Sequence, residues 1–263
     1  MVESIDQLGN RISMQGFPQR IVSLVPSQTE FLFHVGLSDR LVGITNFCIH
    51  PESDAFRVGG TKNFSIEKIN QLKPDLIIGN KEENYRQGIE ELQKMYPVWM
   101  SDVNTLPQAC SMMQELGLLC GKEAEAEHTV QQIEQKFAEY EVSTGYHSAS
   151  CAYFIWRKPY MVAATHTFID DMLQRLGCTN VFAQQQRYPE IELKTLAELK
   201  PDFIFLSSEP YRFTKNHYDE FLQFCPQSKV MLVDGEMFSW YGSTLLKTPD
   251  YFAALIKKMQ VAQ

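Results

Sequence analysis

Two stretches decide the fold: SIEKINQLKPDLIIG, from Ser65 to Gly79, and ELKTLAELKPDFIFL, from Glu192 to Leu206. Both contain LKPD, beginning at Leu72 and Leu199, so the second copy follows the first by 127 residues in a chain of 263. A repeat near half the chain length is the signature of a duplicated supersecondary unit. In each copy an apolar spacing of helical period runs up to a Lys-Pro pair. Proline ends the helix there, and the apolar run that follows has the length and composition of a buried strand. Helix, stop and strand in the same order, twice, predict two related α/β lobes.

Around the first copy, Arg20 to Val25 (RIVSLV) predicts a strand, and Ser27-Gln28-Thr29-Glu30 has the S-x-x-E form of a capping box opening a helix that ends near Gly36. A strand over Leu41 to Thr45, the LKPD helix and strand, a helix over Glu83 to Met95 and a strand over Pro97 to Met100 complete the lobe. Thr105 to Glu141 then keeps helical periodicity, interrupted near Gly117 and Gly121. The second lobe repeats the plan: a strand over Ser150 to Trp156, a helix over Thr167 to Leu176, the LKPD unit, a helix around Tyr218 to Phe224, a strand over Val230 to Val233 and a helix from Leu245 to Met259. The expected class is therefore α/β, with an N-terminal lobe over 1–104, a linking backbone helix over 105–148 and a C-terminal lobe over 149–263. In such folds ligands bind beyond the carboxyl ends of the strands, here in a cleft between the lobes.

Bulk properties narrow the function. With 44% hydrophobic and 21% charged residues the chain is an ordinary globular protein, and its net charge of −8 opposes binding to nucleic acid or anionic membrane through a general field. Met1 to Met14 has neither the basic segment nor the apolar core of a secretory signal. The six cysteines, Cys48, Cys110, Cys120, Cys151, Cys178 and Cys225, form no C-x-x-C pair, which predicts scattered reduced thiols. G-x-S-x-G, H-E-x-x-H, G-x-x-x-x-G-K-[ST] and G-x-G-x-x-G are all missing, which removes the commonest hydrolase, zinc-protease and nucleotide-binding readings. No catalytic residue, metal-ligand set or intrinsic cofactor is expected. A two-lobed metal-cluster fold would need cysteines at the cleft, where only Cys48 is near.

RIVSLVPSQTEFLFHVG from Arg20, the two LKPD units, LGCTNVF from Leu176 and the long linking helix together resemble the helical-backbone metal receptors. These are the class III periplasmic binding proteins, which include the vitamin B12-binding and ferric-siderophore-binding components of ABC importers. The resemblance spans nearly the whole chain and implies capture and delivery of a metal chelate, a corrinoid or an iron complex, by a monomer. It implies a periplasmic or membrane-associated place. The absence of a signal in the N-terminal stretch keeps a second reading open, a cytoplasmic cofactor sensor or carrier without a transporter. The family carries one acidic residue ahead of the LKPD proline in each lobe to dock on the permease. Glu67 holds that position in the first lobe; in the second, Lys194 stands there and Glu192 lies two places earlier.

A greasy planar chelate is held mainly by aromatic surface, because apolar burial at about 25 cal/mol per Å² supplies most of the binding energy. By the resemblance, Tyr160 in WRKPY and Tyr188 before Pro189 correspond to cleft aromatics, whereas Thr61 and Asn80 stand where B12 binders carry tryptophans. The residues themselves add more candidates. DGEMFSWYG, from Asp234 to Gly242, follows a strand and crowds Phe238, Trp240 and Tyr241 around Glu236 as a polar anchor. Trp156 ends a strand, and Arg157 and Lys158 offer cations to an anionic chelate or stay solvated. Phe47, His50, Asn80, Glu82 and Glu83 follow strands of the first lobe. His50 is open to two roles, a metal ligand through neutral imidazole or a hydrogen-bonded loop residue. Glu82 and Glu83 suit a helix start as well as a ligand.

Overall fold

The computed structural model describes residues 1–144 and 149–262, and the chain divides into two compact units. Unit 1 comprises Met1–Val103, Pro107–Ile133 and Tyr241–Thr244; unit 2 comprises Asn104–Leu106, Glu134–Trp240 and Leu245–Gln263.

Unit 1 opens with a hairpin, β1 (Val2–Ile5) and β2 (Arg11–Met14). There follow β3 (Ile21–Ser23), α1 (Pro26–His34), β4 (Leu41–Ile44), the short β5 (Phe56–Arg57), β6 (Gly59–Gly60) and β7 (Asn63–Phe64), then α2 (Ile66–Leu72), β8 (Leu76–Asn80), α3 (Arg86–Gln93) and β9 (Val98–Ser101). Among the described residues β5, β4, β3, β8 and β9 lie in that order as one wholly parallel sheet. Parallel strands covered by helices must be apolar on both faces. Leu76, Ile77 and Ile78 of β8 are accordingly fully buried.

The helices α4 (Leu106–Cys120) and α5 (Glu123–Thr144) occupy the expected linking segment, and the interruption falls at Gly121, whose φ of +70° suits glycine. A side chain there would also strike the ring of Phe17. The end of that segment, 145–148, lies outside the described residues.

Unit 2 is built on β10 (Ala149–Trp156), β11 (Tyr160–Val162), α6 (Phe168–Arg175), β12 (Cys178–Asn180), β13 (Glu190–Ile191), α7 (Lys194–Leu199), β14 (Phe203–Ser207), α8 (Tyr218–Leu222), β15 (Lys229–Val233), α9 (Glu236–Ser239) and α10 (Thr248–Ala262). Its sheet runs β13, β11, β10, β14, β15, with β12 beside the start of β10. β10, β14 and β15 are parallel, as are β3, β8 and β9.

The LKPD units are alike in detail. Lys73 (φ 46°, ψ 60°) and Lys200 (φ 47°, ψ 56°) both end their helices in the left-handed region. The following proline disfavours the right-handed alternative. Each Asp then ties the LKPD strand to the first strand of its sheet. Asp75 accepts from the backbone N–H groups of Gln19 and Arg20, both at 2.8 Å, and Asp202 accepts from the N–H and hydroxyl of Ser150, both at 2.7 Å.

Two helix starts differ from expectation. The expected capping box at Ser27 does not form: α1 begins at Pro26 behind Val25, without a side-chain cap. Proline's fixed φ and missing N–H suit the first helical position, so Ser27 falls inside the first turn and is buried. α3 begins at Arg86 rather than Glu83, because the Asn80 carboxamide oxygen accepts from the N–H groups of Glu82 and Glu83 and holds them in a turn.

Candidate functional site

In unit 1 the carboxyl ends of β4 and β8 carry the candidates. The loop after β4 leaves Phe47 59% exposed, with Ile49 and His50 also exposed, over a buried Cys48. Arg57 holds this loop by donating to the carbonyls of Thr45 (2.8 Å) and Cys48 (2.7 Å). Phe47 and His50 therefore project from an anchored loop. Asn80, by contrast, is buried, and its Nδ2 donates to Ser101 Oγ at 2.9 Å. Gln28 Nε2 donates to the same hydroxyl at 2.5 Å, so two buried carboxamides share one acceptor. Glu82 is half-buried, and its carbonyl accepts from Lys62 Nζ. Burial raises the neighbouring Glu83 carboxyl above its ordinary range, with Lys62 opposing the shift.

In unit 2 the central strand β10 ends at Trp156, which is 39% exposed. Its ring meets Tyr211 nearly edge-on, at 5.8 Å between centroids and 68° between planes. Tyr211 comes from the loop after β14, so two adjacent parallel strands deliver the pair. Arg157 forms an ion pair with Glu220 at 3.0 Å, and this contact holds its guanidinium charged. Arg157 is thus fixed in place beside the ring pair, while Lys158 is exposed. Tyr160 is half-buried against Phe154 and Phe221, at 6.2 and 5.8 Å. Tyr188 is half-buried just before β13.

The segment after β15 is more buried than its composition indicates. Phe238 is a core residue, with Tyr153 at 5.1 Å and Phe252 at 5.0 Å. Trp240 is only 7% exposed, and its indole Nε1 donates to Glu209 Oε1 at 3.0 Å. Ser239 Oγ donates to the same oxygen at 2.6 Å. Gly235 allows this closeness, since a Cβ there would stand 2.5 Å from both Glu209 Cγ and Ser207 Oγ. Glu236 opens α9 and is half-buried. Tyr241 is buried and belongs to unit 1. The structure thus brings Trp156, Arg157 and Tyr160 together with Tyr211, groups Phe47 with His50, and leaves Phe238 and Trp240 as packing elements.

A family model described as periplasmic binding protein matches residues 21–226, from β3 through α8. The chain belongs to the periplasmic binding protein family. The family consists of solute-binding proteins rather than enzymes, and it is a periplasmic family. Among curated relatives, the chain is 26% identical over 201 residues to the vitamin B12-binding protein of Vibrio campbellii, covering 73% of this chain and 72% of the relative. Among solved structures, the periplasmic vitamin B12-binding protein of Vibrio cholerae shares the fold with a TM-score of 0.77 at 22% identity, over 92% of this chain and 98% of that one. A periplasmic heme-binding protein in complex with two hemes gives 0.81 at 18% identity, over 94% and 99%.

The two acidic positions ahead of LKPD differ in their surroundings. Glu67 is exposed in the first turn of α2. Glu192 is bound to Lys194 in an exposed ion pair, and that contact raises the lysine pKa. No helix among the described residues is long and apolar enough to cross a membrane.

Sequence reasoning missed Tyr211 and Glu209. Their available signal was position: SSEPY directly follows the LKPD strand, where β14 delivers its loop to the same edge as Trp156.

Proposed function

We propose that the chain is a substrate-binding protein that captures a metal chelate, either a corrinoid or an iron chelate such as a ferric siderophore or haem, for an ABC-type importer. The observation that carries this reading is the Trp156–Tyr211 pair, an aromatic surface presented at the carboxyl edge of unit 2 with a fixed guanidinium beside it. A flat apolar ring system with polar substituents matches such a surface, stacking on the rings and meeting Arg157 with a carboxylate or amide. Within unit 2, Tyr160 and Tyr188 extend the aromatic contact; in unit 1, taken by itself, Phe47, His50, Asn80 and Glu82 are the proposed contacts. Glu236 and Tyr241 remain proposed contacts of the segment after β15, while Phe238 and Trp240 act as packing that supports the loop and do not touch the ligand. The chelate is cargo, and no residue is assigned a catalytic part.

For delivery, Glu67 and Glu192 are the proposed contacts with the permease. The pairing of Glu192 with Lys194 supports the second reading, a cytoplasmic carrier or sensor of the same cofactor class. Reconstitution with a candidate permease separates the two: ATPase stimulation that Glu67→Lys abolishes supports import.

The deciding experiment is a titration of the metal-free protein with cobalamin, haem and representative ferric siderophores, read by tryptophan fluorescence and visible absorption. Saturable binding of one chelate at micromolar concentration or below supports capture and names the cargo. Failure of all three classes to bind overturns it.

A further inference from the structure

Unit 1 contains a groove of 440 Å³ at the amino end of β9 and therefore away from the carboxyl-edge loops. Arg11 and Ser13 of β2 line one side, Val98 of β9 lines the other, and Gln93 and Tyr96 close one end.

The backbone on both sides lacks a partner. In β9, Pro97 O accepts from Ile77 N and Ser101 O accepts from Lys81 N, so the odd residues pair with β8 and the even ones face away. Met100 and Asp102 on that outer edge are satisfied by the β1–β2 turn: Met100 N–H donates to Asp6, Gln7 N–H donates to Met100 O, and Asp102 N–H donates to the Gln7 carboxamide. The turn stops short of Val98, whose outward N–H and C=O have no partner among the described residues. In the hairpin, Asp6 N–H donates to Asn10 O, and the register Ser4↔Ile12 makes the even residues of β2 the bonded ones. Arg11 and Ser13 therefore turn their own N–H and C=O groups outward, and among the described residues β2 pairs with no strand but β1. Two strand edges with free donors and acceptors face one groove.

We propose that this groove binds an extended acidic peptide segment of a partner protein by strand addition. An extended chain supplies alternating N–H and C=O groups along both of its sides, which is what two opposed edges need. The charge preference comes from Arg11, an exposed cation in the groove wall that has no ion-pair partner among the described residues.

The test is panning of linear heptapeptides displayed on phage against the intact protein, followed by fluorescence anisotropy of a labelled, selected peptide. Val98→Pro removes an N–H that the sheet does not use, at the first residue of a strand where proline is tolerated, and because the Val98 side chain is also buried in the core of unit 1, denaturant unfolding checks that the variant is folded. Arg11→Glu reverses the charge on an exposed side chain. Selected peptides should be enriched in Asp and Glu, and each variant should weaken the selected peptide at least tenfold while circular dichroism and the chelate titration stay as in the parent. The proposal is overturned if no peptide is enriched, if the enriched peptides are not acidic, or if both variants bind them as the parent does. Chelate binding takes place at other residues, so either result leaves the proposed function standing or falling on its own titration.

Discussion

Trp240 Nε1 and Ser239 Oγ converge on one carboxylate oxygen of Glu209, at 3.0 and 2.6 Å, so the segment after β15 is fastened to the loop after β14. Glu209→Ala leaves a buried indole N–H without its acceptor, at a cost of about 1–3 kcal/mol. Denaturant unfolding should show that loss, and Glu209→Gln, which keeps an oxygen acceptor, should lose less. Equal losses would mean that charge rather than hydrogen bonding holds the segment.

Trp156 is exposed enough that its removal should cost the fold little. Trp156→Ala is expected to change stability by less than about 1 kcal/mol. If it is a ligand contact, the same change should raise the Kd for the chelate by about tenfold, equivalent to about 1.4 kcal/mol. A variant with unchanged Kd and lowered stability would make the Trp156–Tyr211 pair a packing contact only.

Asp75 and Asp202 perform the same task in the two units, each accepting hydrogen bonds from the start of the first sheet strand. Asp75→Ala and Asp202→Ala should each destabilise by about 1–3 kcal/mol. Chemical denaturation of both variants checks this, and a null result at either site would break the equivalence of the repeats.

Burial raises the Glu83 carboxyl above its ordinary 4.5. The folded chain then holds that proton more tightly than the unfolded chain, so the contribution is full below 4.5 and is lost as pH rises through the folded value. Glu83→Gln should therefore gain stability relative to the parent as pH rises above 4.5. A parent-to-variant difference that does not change with pH would contradict the shift.

All six cysteines are free and buried. For Cys120 burial pushes the thiol up to about 12, and Cys151, beside Cys178, is also raised. Thiols that are both buried and protonated are poor nucleophiles. A chromogenic disulfide reagent should label none quickly in the native protein and all six after unfolding; fast native labelling would reveal local opening.

The repeated helix-stop-strand units made the duplication legible from sequence, since proline after lysine, an apolar run and an aspartate act within a few residues of one another. The helix starts were less legible. Pro26 displaced the boundary that a capping pattern placed at Ser27, and the Asn80 turn displaced the helix start expected at Glu83, because several local signals compete for one backbone and the surrounding packing selects among them.

Sequence by itself determined the class of the fold, the order of its main strands and helices and the candidates at the strand ends, all of which rest on local spacing, whereas the β1–β2 hairpin and the short strands β5–β7 and β11–β13 were not read from it. Tertiary structure alone decided which aromatics show a face to solvent. Phe238 and Trp240 look like Trp156 in composition, yet Gly235 and Glu209 draw them inward while Trp156 stays open at its strand end. Exposure depends on which side chains other strands deliver to the same place, and those partners lie about 30 residues away or farther.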